Sequence, residues 1–131
     1  MIEGLLSPKI YMLLATAPLL LAANGAMSVE SFLAKAEPLA KAGTFAVFNS
    51  DYRAVMAEMK SASQSYRAEL ASQAKAGQVP HSCPPEKVSM SSNEVLDLMR
   101  AVPIAERKTT SVRQAFANAM KKRFPCPVKK G

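Results

Sequence analysis

The run from Asn49 to Gly77 constrains the chain more than any other. Asn49 or Ser50 offers a helix cap, Asp51 favours the positive end of the helix dipole, and Gly77 supplies a stop. Between them Tyr52, Val55, Met56, Met59, Ala62, Tyr66 and Leu70 recur at helical spacing. A second stripe is small (Ala54, Ala57, Ser61, Ala68 and Ala71 or Ser72) and lets another backbone come close. One helix of about 25 residues measures about 38 Å. That is longer than a small domain requires, so the helix either spans the domain or projects toward a partner.

The other segments have to pack around it. Ser28 caps a first helix with Glu30 in its opening turn. Phe32, Leu33, Ala36, Leu39 and Ala40 form its apolar stripe to about Ala42. Pro38 either kinks this helix or ends it near Ala36. Phe45, Val47 and Phe48 then belong to a short helical turn or to an apolar loop plugging the core. Residues 77–90, GQVPHSCPPEKVSM, form a loop, because three prolines and a glycine forbid a regular helix. Ser91 and Glu94 have capping-box spacing before a short helix burying Val95, Leu98, Met99 and Val102. Pro103 breaks that helix. Thr109 or Thr110 caps the last one, whose core face is Val112, Ala115, Phe116, Ala119 and Met120. No alternating strand pattern appears. With 131 residues, five glycines and no tryptophan, the expectation is all-α: one small bundle of four to five helices with a long central helix and no sheet.

The first 26 residues read as an address rather than as fold. Residues 10–23, IYMLLATAPLLLAA, are too short to span a bilayer as an ordinary helix but suit a signal-peptide core. Lys9 precedes them and small residues through Ala26 follow. The expectation is export, cleavage near Ala26, and a single helical domain over 27–131 with no stable membrane insertion. Localisation is then periplasmic or secreted.

Cysteine usage points the same way. The two cysteines, Cys83 and Cys126, both lie in the mature part, each beside prolines. An even count in an exported chain reads as one disulfide. Metal is the weaker alternative: His81, the sole histidine, Cys83 and Cys126 lack zinc spacing. No metal or cofactor is expected.

Catalytic motifs fail. A nucleophile needs a neighbouring base, the lone histidine sits in the proline-rich loop, and there is no phosphate loop or dinucleotide fingerprint. Met56, Met59, Met90, Met99 and Met120 fall at core-facing positions and read as core filling. The net charge is +7, with Lys121, Lys122 and Arg123 concentrated near the C-terminus. Those cations complement a helix dipole or steer toward an acidic partner. Nucleic acid does not fit, since aromatic residues do not interleave the basic ones.

From Ser82 the chain reads Ser82-Cys83-Pro84-Pro85-Glu86-Lys87-Val88, then Ser92-Asn93-Glu94-Val95-Leu96, Ala101-Val102-Pro103-Ile104-Ala105-Glu106-Arg107 and Arg123-Phe124-Pro125-Cys126. This half resembles the Rap/Tai-type family of small exported immunity proteins. There a Cys-x-Pro loop precedes a helix and an Ala-rich helix closes on Phe-Pro-Cys. The resemblance implies an all-helical periplasmic protein that blocks a cell-wall-degrading effector, typically one delivered by type VI secretion. It also implies the Cys83–Cys126 pairing. The N-terminal half departs from the family, since residues 51–75 carry neither its cysteine nor its glycine.

The functional expectation is a non-enzymatic binding or inhibitor protein of the periplasm. A cell-envelope structural or assembly factor is the alternative. The partner expected is a protein, an exported effector enzyme first among them, with a homodimer left open. The loop 78–87 is the expected contact, because Pro80, Pro84 and Pro85 stiffen it and a rigid loop loses less entropy on docking. His81, Pro84, Pro85, Glu86 and Lys87 are its candidate contacts, with Lys121, Lys122 and Arg123 steering.

Overall fold

A computed structural model describes residues 26–128; the expected signal segment lies outside them. Four α-helices follow in order: α1 (Val29–Ala42), α2 (Ser50–Lys75), α3 (Ser92–Arg100) and α4 (Val112–Arg123). A 3-10 helix over Gly43–Phe48 joins α1 to α2, and a shorter one, Ile104–Glu106, lies between α3 and α4. The described residues contain no strand, only one antiparallel bridge between Ser28 and Ser111. The all-α expectation holds.

The caps explain the boundaries. Ser28 accepts a hydrogen bond from the Ser31 amide at the start of α1, and Asn49 does so from the Asp51 amide at the start of α2. At α3 the capping box is complete: Ser91 accepts from the Glu94 amide, and Glu94 accepts from the Ser91 amide at 2.7 Å. The last helix departs from expectation. Its cap is Ser111, which accepts from the Gln114 amide, rather than Thr109 or Thr110. Both threonine amides are instead taken by the Glu106 carbonyl in the preceding turn.

Pro38 neither ends nor divides α1, which continues to Ala42. An internal proline removes one helix hydrogen bond and costs about 3 kcal/mol. Leu39, beyond the proline, is buried along with Phe32, Leu33 and Ala36, so burial on both sides holds the helix together. Of the two readings of the Phe45–Phe48 stretch, the short helical turn holds and the apolar plug does not. In the 3-10 helix only Ala46 turns inward; Phe45 and Phe48 are 76% and 84% exposed. Three residues per turn put 45 and 48 on one side of that short helix, away from the domain.

The core gathers on α2, which is packed mainly by α4 and then by α1. Phe32, Met99, Met120, Val29 and Val112 are the deepest apolar side chains. On α3 it is Leu96 and Met99 that are fully buried, whereas Val95, Leu98 and Val102 are partly so. The first and last helices are stitched at their starts. The amides of Val29 and Glu30 donate to the Thr110 and Arg107 carbonyls, and the Val112 amide donates to Met27. Helix N-termini leave such donors without intrahelical partners, and here each supplies the other. The Arg107 side chain donates to the carbonyls of Arg100 and Val102 at 2.8 and 2.9 Å, closing the far end of α3.

Charged pairs fix the remaining angles. Lys35 on α1 reaches Asp51 on α2 at 2.9 Å. Arg100 on α3 grips Glu37 on α1 with two hydrogen bonds, at 2.8 and 3.0 Å. That grip, followed by the attraction of Arg100, Lys41 and Arg107, holds the Glu37 carboxyl below its ordinary 4.5. A carboxyl depressed in the folded chain adds stability above its unfolded value and loses it as pH falls through the folded one. Wild type should therefore melt above Glu37→Gln at neutral pH, with the gap closing as the pH drops below 4.5. Melting followed by circular dichroism across that range checks this; a gap that persists in strong acid refutes it.

Candidate ligand-binding cleft

Two features meet on α2: a polar lock on one side of Tyr66 and an apolar cleft on the other. The lock comes from the loop after α2. Gly77, with φ near 67°, turns the chain back, and the Gln73 side chain accepts from the His81 amide at 2.9 Å. Ser82 is then carried inward to 1% exposure. Its hydroxyl shares a hydrogen bond with the Tyr66 hydroxyl at 2.6 Å and another with His81 Nδ1 at 2.8 Å. His81 Nε2 faces the Glu69 carboxylate at 3.5 Å. The His81 ring packs against Tyr66, whose other neighbour is the edge-on ring of Phe116.

The disulfide follows directly. Cys83 is bonded to Cys126, with the two Cα atoms 4.8 Å apart. The Cys83 amide also donates to the Phe124 carbonyl at 2.8 Å. The loop is thereby tied both to α2 and to the tail after α4. Breaking the bond would release a closed loop spanning 43 positions, worth about 4 kcal/mol in the chain-entropy model.

The sequence-predicted contacts fall into three places. His81 is packed into the domain, its side chain only 13% exposed, because the lock consumes it. Pro84 is half-buried, while Pro85, Glu86 and Lys87 are exposed. The Pro85 carbonyl accepts a hydrogen bond from Arg67 at 3.0 Å. Lys122 and Arg123 are exposed and Lys121 half-buried; Arg123 approaches Glu94 at 3.7 Å and lies over the Phe124 ring. The capping hydrogen bonds from Ser91, and more weakly Arg123, hold the Glu94 carboxyl below its ordinary value.

The cleft was not foreseen. It has a volume of about 510 Å³, is half-enclosed, and lies between α1, the first 3-10 helix, α2 and the segment leading into α3. Its floor is Phe32, Phe116 and Met120; Met56, Met59 and Met90 line its sides. The expectation that all five central methionines fill a closed core is thus corrected. Met99 and Met120 are buried, but Met56 is 52% exposed and opens onto the cleft. The loop that follows Lys87 continues as its wall through Val88 and Met90. Among the lining residues one carries a charge, Arg67. Phe45, Val47 and Phe48, which flank the lining residue Ala46 in the chain, are exposed apolar residues. Ligand sites are commonly clefts of this size, mostly apolar with a few placed polar groups.

One further pair escaped the sequence reading. Glu58 on α2 is 7% exposed and faces Arg113 on α4 at 3.9 Å, with Glu58 Oε1 and Arg113 Nε lacking hydrogen-bond partners. The pair sits where α2 and α4 press together, and a sequence in which Glu58 falls among surface carboxylates gives no sign of it. Among the described residues no group of three metal-binding side chains comes together, and no helix is long and apolar enough to cross a membrane. Compared with known protein families, with curated proteins and with solved structures, the chain matches none.

Two stability measurements test the lock. Cys83→Ser with Cys126→Ser should lose about 2–4 kcal/mol in urea unfolding relative to the oxidised chain, and dithiothreitol should reproduce that loss in wild type. Tyr66→Phe should lose about 1 kcal/mol for one hydrogen bond. Equal midpoints for oxidised and reduced wild type would remove the disulfide from the account.

Proposed function

We propose that this chain is a non-catalytic binding protein of an oxidising compartment outside the cytoplasm, with the cleft as its recognition element. The observation that carries the reading is the open apolar cleft, of about 510 Å³ in a small domain, with one cation in its lining. A hydrophobic floor left open to solvent forgoes burial worth about 25 cal/mol per Å². A small domain gives that up where something else supplies the cover. The disulfide is compatible with an oxidising environment, and the apolar 10–23 segment fits delivery there.

The serine and histidine of the lock support binding rather than catalysis. Ser82 is 1% exposed and both of its side-chain hydrogen bonds are to neighbours within the fold. A nucleophile in that position has no route to a substrate.

The finer reading is an inhibitor of the immunity type, blocking an exported cell-wall-degrading enzyme. It draws on the resemblance of the C-terminal half and on the exposed residues Pro85, Glu86, Lys87, Lys122 and Arg123. Photo-crosslinkers placed at Lys87 and Lys122 of the exported protein test it. The expected result is one shared adduct from both positions, identified by mass spectrometry as a cell-wall hydrolase. Adducts only to envelope assembly components would favour the structural role, and no adduct from either position would remove the inhibitor reading.

A further inference from the structure

We propose that the cleft takes a long-chain carboxylate, a fatty acid with its hydrocarbon chain along the apolar lining and its head group at Arg67. The assignment rests on the reading of the cleft as the binding element and names what fills it.

Depth comes first. The lining runs from Met56, half exposed at the mouth, to Phe32 and Met120, each 1% exposed, at the floor. A helix with its side chains is about 10 Å across and needs a groove open along its length, whereas this cleft is half-enclosed and reaches core residues. A single flexible hydrocarbon chain fits such a space. The walls agree, since Met56, Met59 and Met90 are unbranched and polarisable and conform to a chain with no fixed shape.

Charge then chooses the head group. The lining holds no carboxylate, and Arg67 forms no ion pair with an acidic side chain among the described residues. Arg100, Arg113 and Arg123, by contrast, each face at least one carboxylate. Arg67 spends one donor on the Pro85 carbonyl at 3.0 Å and is steadied by the Tyr66 ring, 6.0 Å from its guanidinium carbon. The remaining donors of its planar fork match the two oxygens of one carboxylate. A single guanidinium suits that singly charged group better than a phosphate, which draws on several donors. The rim completes the site. Phe45 and Phe48, in the same 3-10 helix as the lining residue Ala46, are exposed, and aromatic rings so placed can enter the surface of a bilayer or micelle.

The test uses the oxidised protein as cells export it and a neutral fluorescent probe, phenylnaphthylamine, with hexadecanoate and hexadecanol as competitors. The probe should bind, and hexadecanoate should displace it at about one-tenth the concentration that hexadecanol needs, the difference made by one charge-assisted hydrogen-bond pair. Arg67→Gln should bring the two competitors together. Ser63→Phe, at an exposed position of α2 that lines the cleft, should abolish probe binding while leaving the circular dichroism spectrum unchanged. Should Arg67→Gln fail to fold, wild type decides the matter alone: acidification that neutralises hexadecanoate must erase its advantage. Equal displacement by acid and alcohol in wild type, or an advantage that survives Arg67→Gln, overturns the carboxylate and leaves the cleft as a binding site. A probe that does not bind wild type, or binds Ser63→Phe equally well, removes the cleft itself and the functional reading with it.

Discussion

A helix of 26 residues has more surface than the remainder of this chain can cover, and most of the architecture answers that mismatch. α4 and α1 take two of its sides, with 12 and 14 residues. α3, with nine residues, leans mainly on α1 and α4. The third side of α2 is left to an irregular segment, residues 76–91, running back along it. Irregular backbone covers a helix unevenly. Near Tyr66 and Ser82 it seals; near Val55 and Met59 it does not, and the cleft is what remains open.

Tyr66 stands at the border between the two regimes. Its hydroxyl secures the loop through Ser82, its ring packs with His81 and Phe116, and its neighbour Arg67 points toward the cleft and the Pro85 carbonyl. The serine, histidine and glutamate clustered here have the composition of a hydrolytic site and the opposite arrangement. The hydroxyl is the deepest group, not the most accessible, and it is bonded through Nδ1 of the ring. Such networks, once satisfied, stiffen what they connect.

What could be read in the sequence was what local chemistry decides. Ser28, Asn49 and the Ser91–Glu94 box declare helix starts because a short polar side chain has one good use there. The cysteine pair was legible from its count and the prolines around it. Ser111 was passed over because two threonines precede it and only the packing of Arg107 and Thr110 against α1 shows which residue begins the helix. Phe45 and Phe48 stayed open between a helical turn and a core plug because apolar character alone does not say inward or outward. The turn type does, and a 3-10 segment sets it. The cleft was illegible for a deeper reason: its methionines occupy the same face as the true core, and a sequence records which residues could be buried, not where the covering layer stops.

The clasp between residues 27–30 and 107–112 has its own consequence. Val112 answers to Met27, and Val29 to Thr110, so the two ends of the domain complete one another across almost its entire length. Helical proteins usually assemble from neighbours in sequence and do so quickly, while distant closures delay them. Here α1 can pack on α2 and α3 first, but the backbone clasp at its start has to wait for α4. Until then the donors of Val29 and Glu30 have no carbonyls to meet, and the domain acquires its final shape only when the end arrives.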